Sequence, residues 1–164
     1  MTNTALIAQY GNRVRIRVNG LVLDDPQNPQ GLLLVGLAGM YANRFWMPPG
    51  GGLNFGESTE EAVVREVKEE TGLTVQVERL LYLSEWLRPP YHALELYFLC
   101  TRLDGELRKG YDPETAAQII EDVRFLGFDE MAMLDVRPSY LVATLQTDLA
   151  AGLPENPRWM GTWR

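Results

Sequence analysis

The stretch GGLNFGESTEEAVVREVKEETGL, residues 51–73, decides how the rest of the chain is read. Ser58 or Thr59 is placed to cap a helix, and Glu60 and Glu61 in the first turn complement its dipole. The helix runs to about Thr71 and stops at Gly72, a residue suited to the left-handed position past a helix end. At about 100° per residue, Glu66, Glu69 and Glu70 share an arc of roughly 100° on one face. Three carboxylates so close repel one another unless cations lie between them. Hard divalent ions with oxygen ligands, Mg²⁺ first and Mn²⁺ second, suit such a set. Val63 and Val67 lie beside the arc and bury the helix edge. Arg65, four residues before Glu69, is placed to hydrogen-bond a carboxylate, and the loop Gly50–Gly52 lets a backbone carbonyl, that of Gly50, reach the same ions. Alone, residues 65–70 would be the ordinary charged surface of a solvated helix; the wider pattern reverses that reading.

That pattern has Gly51, Glu57, Arg65-Glu66-Val67, Glu69-Glu70 and Gly72-Leu73 at fixed spacings. It resembles the Nudix box, G-x5-E-x7-R-E-U-x-E-E-x-G-U with U aliphatic, at every fixed position. The lead-in Trp46-Met47-Pro48-Pro49-Gly50-Gly51 is similar to the family's W-x-x-P-G-G, with Pro48 where an aliphatic residue is usual and Asn54 where an acidic one often stands. Residues 123–131 resemble the family's late strand entering a short helix. The resemblance implies an α/β fold, an α/β/α sandwich around a mixed β-sheet. It implies hydrolysis of a nucleoside diphosphate linked to another group X, with Mg²⁺, or Mn²⁺ in its place, as cofactor. The implied metal ligands are Glu66, Glu69, Glu70, the Gly50 carbonyl and Glu57. Catalytic roles are expected for Glu66, Glu69, Glu70, Arg65 and Glu121, and substrate contacts for Arg44, Trp46, Arg88, Tyr91 and Glu114. Glu121, just before a strand, and Glu114, on a loop, compete for the role of proton acceptor. Pro89, sixteen residues past Leu73, matches a marker of family members acting on ADP-ribose, whereas Tyr91 matches one for dinucleoside polyphosphates; (d)NTPs are a further substrate class. Two other readings stand beside hydrolysis: a nucleotide-sugar sensor without turnover, and an isoprenoid-diphosphate isomerase that would need Cys100 in its pocket. Family habit and the Trp-bearing tail point to a homodimer.

Outward from the box, Val14, Ile16 and Val18 alternate with Arg13, Arg15 and Arg17, the period of a half-buried strand, and Leu21–Leu23 extend it or begin a neighbour. Residues 24–29 are turn chemistry. Leu32–Leu37 is a second, buried strand, expected to pair antiparallel with the first. Two prolines and three glycines across residues 45–52 predict a loop without regular structure. Strands are expected over 75–86 and 93–103, divided by Arg88-Pro89-Pro90-Tyr91, with Asp104-Gly105 as a hairpin signal. Asp112-Pro113-Glu114 resembles a helix start. A strand over 123–128 and a helix begun by Ser139 and closed by Gly152 complete the reading.

The 164 residues suit a single domain, residues 1–164, with an aromatic C-terminal tail over 153–164. Fifteen Lys plus Arg against 22 Asp plus Glu give a net charge of −7, which argues against duplex nucleic acid as the main partner. A small anionic substrate remains compatible when metal supplies the local positive charge. No apolar run approaches the roughly 20 residues of a bilayer span, and no signal peptide is visible, so no membrane role is expected. A single cysteine, Cys100, permits no internal disulfide and fits a cytoplasmic setting. It reads as a small buried hydrophobe, and His92 as a surface histidine.

Overall fold

Alternation along one strand organises the molecule. In β1 (Arg13–Val22), Val18 and Val22 enter one apolar cluster and Leu21 enters another on the opposite side. The computed structural model describes residues 7–8, 10–38, 44–111 and 119–164. Its further elements are β2 (Gly31–Leu37), β3 (Phe45–Met47), β4 (Gly50–Gly52), α1 (Thr59–Thr71), β5 (Thr74–Arg88), β6 (Tyr91–Asp104), β7 (Ile120–Gly127), α2 (Phe128–Met131), α3 (Leu141–Ala151) and β8 (Arg158–Trp163). Two sheets form: a five-stranded one in the order β4-β1-β6-β5-β8 and a three-stranded one in the order β3-β2-β7. The larger is mixed, since β1 runs parallel to β6 and β8 parallel to β5. Ala62, Val63 and Val67 of α1 join Val18, Leu33, Phe98 and Val123 in the first cluster, and Leu141 and Leu145 of α3 join Leu21, Leu34 and Tyr97 in the second. Helices thus cover opposite sides of the β-structure, the α/β/α arrangement.

Helix α1 forms where its sequence places it. Ser58 Oγ accepts from the Glu61 amide, and the Glu61 carboxylate accepts from the Ser58 amide at 2.8 Å, a reciprocal cap worth about 1 kcal/mol. Gly72 ends the helix at φ 76°, where a side chain would be strained. Val63 and Val67 are fully buried, each contributing about 1.5–3 kcal/mol of apolar burial.

Several expectations are corrected. β1 and β2 do not form an antiparallel ladder. They lie in different sheets and, among the described residues, pair at a single bridge, Leu23 to Leu32, beside the turn where Asp24 Oδ1 accepts from the amides of Gln30 and Gly31. The partners of β1 are β4 and β6 instead. Residues 45–52 are not irregular throughout: β3 and β4 flank Pro48-Pro49, and glycines, which keep their amides, pair as a border strand while the prolines fall in the gap. Asp104-Gly105 turns the chain, with Gly105 at φ 100°, but makes no hairpin. The chain instead runs back along α1, where the amides of Arg108, Gly110 and Tyr111 donate to the carbonyls of Thr71, Glu70 and Glu69. The helix assigned to Ser139 begins at Leu141, with no side-chain cap. Val14 and Ile16 are exposed at 60% and 43%, so the start of β1 does not bury its apolar face. The tail contributes β8. Glu114 and the helix start proposed at residue 112 lie outside the described residues.

Candidate active site

The α1 carboxylates gather on the side facing β4. Glu66 and Glu70 are buried, at 2% and 4% exposure, while the Glu69 side chain is one-third exposed. Val63 and Val67, buried on the same helix, pin the backbone from which these acids project. Gly51 permits the approach of Glu66: a Cβ there would lie 2.4–2.6 Å from the carboxylate atoms. Glu70 accepts from the Gly50 amide at 2.8 Å, tying the helix to β4 by a second charged contact.

Arg65 binds this group together. Its Nε and Nη2 donate to the two oxygens of Glu57 at 2.7 and 2.9 Å, and its Nη1 donates to Glu66 at 2.7 Å and to Glu69 at 3.3 Å. Nη2 also reaches the Gly52 carbonyl at 3.2 Å. The Arg65 hydrogen bond holds the Glu57 carboxyl below the ordinary glutamate range, and Glu57, followed by Glu66, pushes the guanidinium above its already high value. Both oxygens of Glu57 are engaged by Arg65, a finding at odds with the ligand role expected for it. Chemically, this is a patch of oxygen donors with one permanent cation fixing their directions.

The other expected residues fall into two further groups. Arg44 Nε donates to Glu121 at 2.8 Å and also faces Asp122, while both Arg44 and Arg124 lie over the ring of Trp46, at 5.8 and 4.9 Å from its centroid. Trp46 itself is only 3% exposed, so it forms part of the core wall beneath two arginines rather than an open stacking surface. Arg88 is exposed at the β5–β6 turn, where Tyr91 stacks on Trp86 at 5.8 Å and 7°. Tyr91 pairs with Arg13, four positions along β1 from Arg17, the partner of Gly52; at about 3.3 Å per residue that is about 13 Å from the level of the box.

Sequence reasoning passed over Arg17, Asn19 and Glu95. Arg17 Nη2 donates to the Gly50 carbonyl at 3.2 Å, and its Nε faces Glu95 at 3.8 Å. Asn19, fully buried and paired with Gly50, has an Oδ1 without a hydrogen-bond partner among the described residues. The available signal was a lone acid in the otherwise apolar run of residues 93–100. Cys100 is buried, and desolvation pushes its thiol up to about 12. His92 Nε2 lies 2.8 Å from Glu85.

The NUDIX domain model matches residues 14–145. Among relatives, an ADP-ribose pyrophosphatase of Methanocaldococcus jannaschii is 46% identical over 70 residues, 42% of this chain and 41% of that protein. An 8-oxo-dGTP diphosphatase of Escherichia coli is 41% identical over 58 residues, 35% of this chain and 45% of that protein. The matched stretches therefore span less than half the length of either relative. A solved NUDIX hydrolase of Nitrosomonas europaea superposes with a TM-score of 0.70 at 23% identity, covering 86% of this chain and 91% of that one, which shows the fold. With four-fifths of its length matched by the family model, and the box residues assembled around Arg65, the chain belongs to the NUDIX domain family.

Proposed function

We propose that this protein hydrolyses a phosphoanhydride bond in a nucleoside diphosphate linked to a second group, in a reaction dependent on a divalent cation, Mg²⁺ or in its place Mn²⁺. The observation that carries the reading is the buried pair Glu66 and Glu70, held with Glu69 beside the Gly50–Gly52 strand. The donor chemistry fits such a cation: carboxylates and a backbone carbonyl offer only hard oxygens, and the absence of a Cβ at Gly51 lets the Glu66 carboxylate lie directly against the Gly50–Gly52 strand. Among the described residues, no three acidic, histidine or cysteine groups form a ready-made cage, so binding draws on side chains that Arg65 and the Gly50 amide hold in reserve.

Glu66, Glu69, Glu70 and the Gly50 carbonyl would hold the cation. Bound there, it would supply positive charge against the diphosphate, acidify the attacking water and stabilise the leaving oxygen. Arg65 orients Glu66 and Glu69, and Glu57 orients Arg65. Glu121, held by Arg44, is assigned to accept the water's proton, with Glu114 as its competitor. Arg88 and Tyr91 are assigned to the distal part of the substrate. The placement of Cys100 inside an apolar cluster speaks against an isomerase. We read residues 1–164 as one domain and expect a homodimer, which sedimentation at micromolar concentration would refute by giving an 18.6 kDa species alone.

The deciding experiment is a substrate panel with Mg²⁺ or Mn²⁺, covering ADP-ribose, nucleotide sugars, dinucleoside polyphosphates and all (d)NTPs. Turnover of at least one class, abolished by EDTA, is expected; full turnover after EDTA treatment sinks the mechanism. In the same assay, Glu121→Gln lowers kcat by about tenfold or more with folding intact. A wild-type kcat in that variant, with a large loss in Glu114→Gln, transfers the role to the loop residue.

A further inference from the structure

The face of the large sheet opposite α1 carries a buried carboxylate, Glu95, that the reaction scheme leaves unused. Glu95 is 2% exposed, yet it sits amid donors from four strands. Its Oε2 accepts from Tyr97 Oη at 2.9 Å, Trp163 Nε1 at 3.0 Å and, more distantly, Ser84 Oγ at 3.4 Å. Its Oε1 faces Arg17, whose other end donates to the Gly50 carbonyl. Sheet register makes this path short. Arg17 is paired with Glu95 on one side and Gly52 on the other, so one side chain spans from the buried acid to the border strand beside α1. Trp163 arrives on β8, which pairs with β5, and its ring stacks on Trp86 at 5.7 Å. β8 lies outside the segment that the family model matches.

We propose that Trp163, Glu95 and Arg17 form a positioning relay that fixes the Gly50 carbonyl, so that the C-terminal strand is part of the catalytic apparatus. The proposal rests on the reading of that carbonyl as a cation ligand. A carbonyl on a three-glycine border strand has no side chains to brace it; the guanidinium supplies the brace, Glu95 anchors the guanidinium, and the indole N–H completes the shell around Glu95. Outer contacts of this kind tune metal sites without touching the metal.

The test measures Mn²⁺ binding without substrate, by the electron paramagnetic resonance of free Mn²⁺, alongside Tm. Glu95→Gln removes the charge facing Arg17 and is expected to weaken Mn²⁺ binding by about tenfold. Trp163→Phe keeps an aromatic ring against Trp86 but deletes the N–H, and is expected to weaken binding by about threefold. In an Arg17→Gln background, neither substitution adds a further loss, a non-additivity that general destabilisation does not produce. Should Glu95→Gln fail to fold, Trp163→Phe and its double variant with Arg17→Gln decide alone. Wild-type affinity in folded Trp163→Phe, or losses that simply add to that of Arg17→Gln, overturn the relay. Glu70→Gln runs beside them: unchanged Mn²⁺ affinity there overturns the metal reading itself and the relay with it. Weakened binding in Glu70→Gln with unaltered relay variants overturns the relay alone.

Discussion

Two hydrogen-bonded clusters, one around several acids and one around a single acid, sit on opposite sides of the large sheet, and they are built by different rules. Around Arg65, the acids Glu57, Glu66 and Glu69 share one guanidinium, with the Glu69 side chain one-third exposed. Around Glu95, a single buried carboxylate is surrounded mainly by uncharged donors, from Tyr97, Trp163 and Ser84. The first cluster has charge in excess, which would attract another cation. The second spends its one charge on internal contacts and leaves none for a ligand. Accumulated carboxylate is therefore a sign of chemistry only where its negative charge exceeds that of the cations already bound to it.

The largest effect that would break this contrast concerns the box. Glu69→Gln or Glu70→Gln should each lower kcat by two decades or more, on the order of 3 kcal/mol in the transition state. An equal loss in Glu95→Gln would erase the distinction between holding a cation and positioning a neighbour. Next in size, Gly51→Ala should cut kcat by about tenfold with a smaller effect on Tm, because the new Cβ meets the carboxylate end of Glu66, which must shift against Arg65, rather than backbone. A Tm collapse in that variant would show that Gly51 serves the fold and not the site.

Proton linkage separates the clusters more finely. Glu57 has its pKa lowered in the folded protein by the Arg65 hydrogen bond. Its contribution is therefore present above the ordinary glutamate value of 4.5 and lost as pH falls below it toward the folded pKa. Thermal melts should show Glu57→Gln losing less stability than wild type through that acid window. Tyr97 behaves oppositely, since burial, then the neighbouring Glu95 charge, raises its pKa well above 10.0. Between 10.0 and the raised value the unfolded chain releases a proton that the folded chain retains, so stability falls as pH rises. Tyr97→Phe should flatten that alkaline loss. Identical pH profiles for wild type and both variants would break the contrast. The smallest effect is chemical: Cys100, with its thiol pushed up to about 12, should react with a thiol reagent only slowly until denaturant is added. Rapid labelling of the native protein would contradict its burial.

The two clusters also differ in how far they could be read from the chain. The members of the first lie between Glu57 and Glu70, so helix periodicity and box spacing suffice to bring them together. The second joins Arg17, Ser84, Glu95 and Trp163 through strand register, which depends on which strands become neighbours. That was the weak point of the sequence reading. Pairing β1 with β2 followed from a short turn, yet the actual neighbours of β1 are β4 and β6, and the parallel β1–β6 pair joins residues more than seventy positions apart. Helix α1 was legible in its extent, with Gly72 as its end and its start at Ser58 or Thr59, because these are local signals; the reciprocal bond from Ser58 to Glu61 was not read. The strand Gly50–Gly52 was not, because its structure comes entirely from its partner.

β8 closes one border of the large sheet, and β4 closes the other. Exposed borders are where sheets recruit strands from neighbouring molecules, and both of these are poor templates. β4 offers three residues, too few to direct a growing stack. β8 turns at Gly161, φ 90°, where its register against β5 slips between Leu83 and Glu85. An extended foreign strand laid along that bulge finds amides and carbonyls out of step. The same six residues that deliver Trp163 to Glu95 thus discourage edge-to-edge polymerisation of the folded protein.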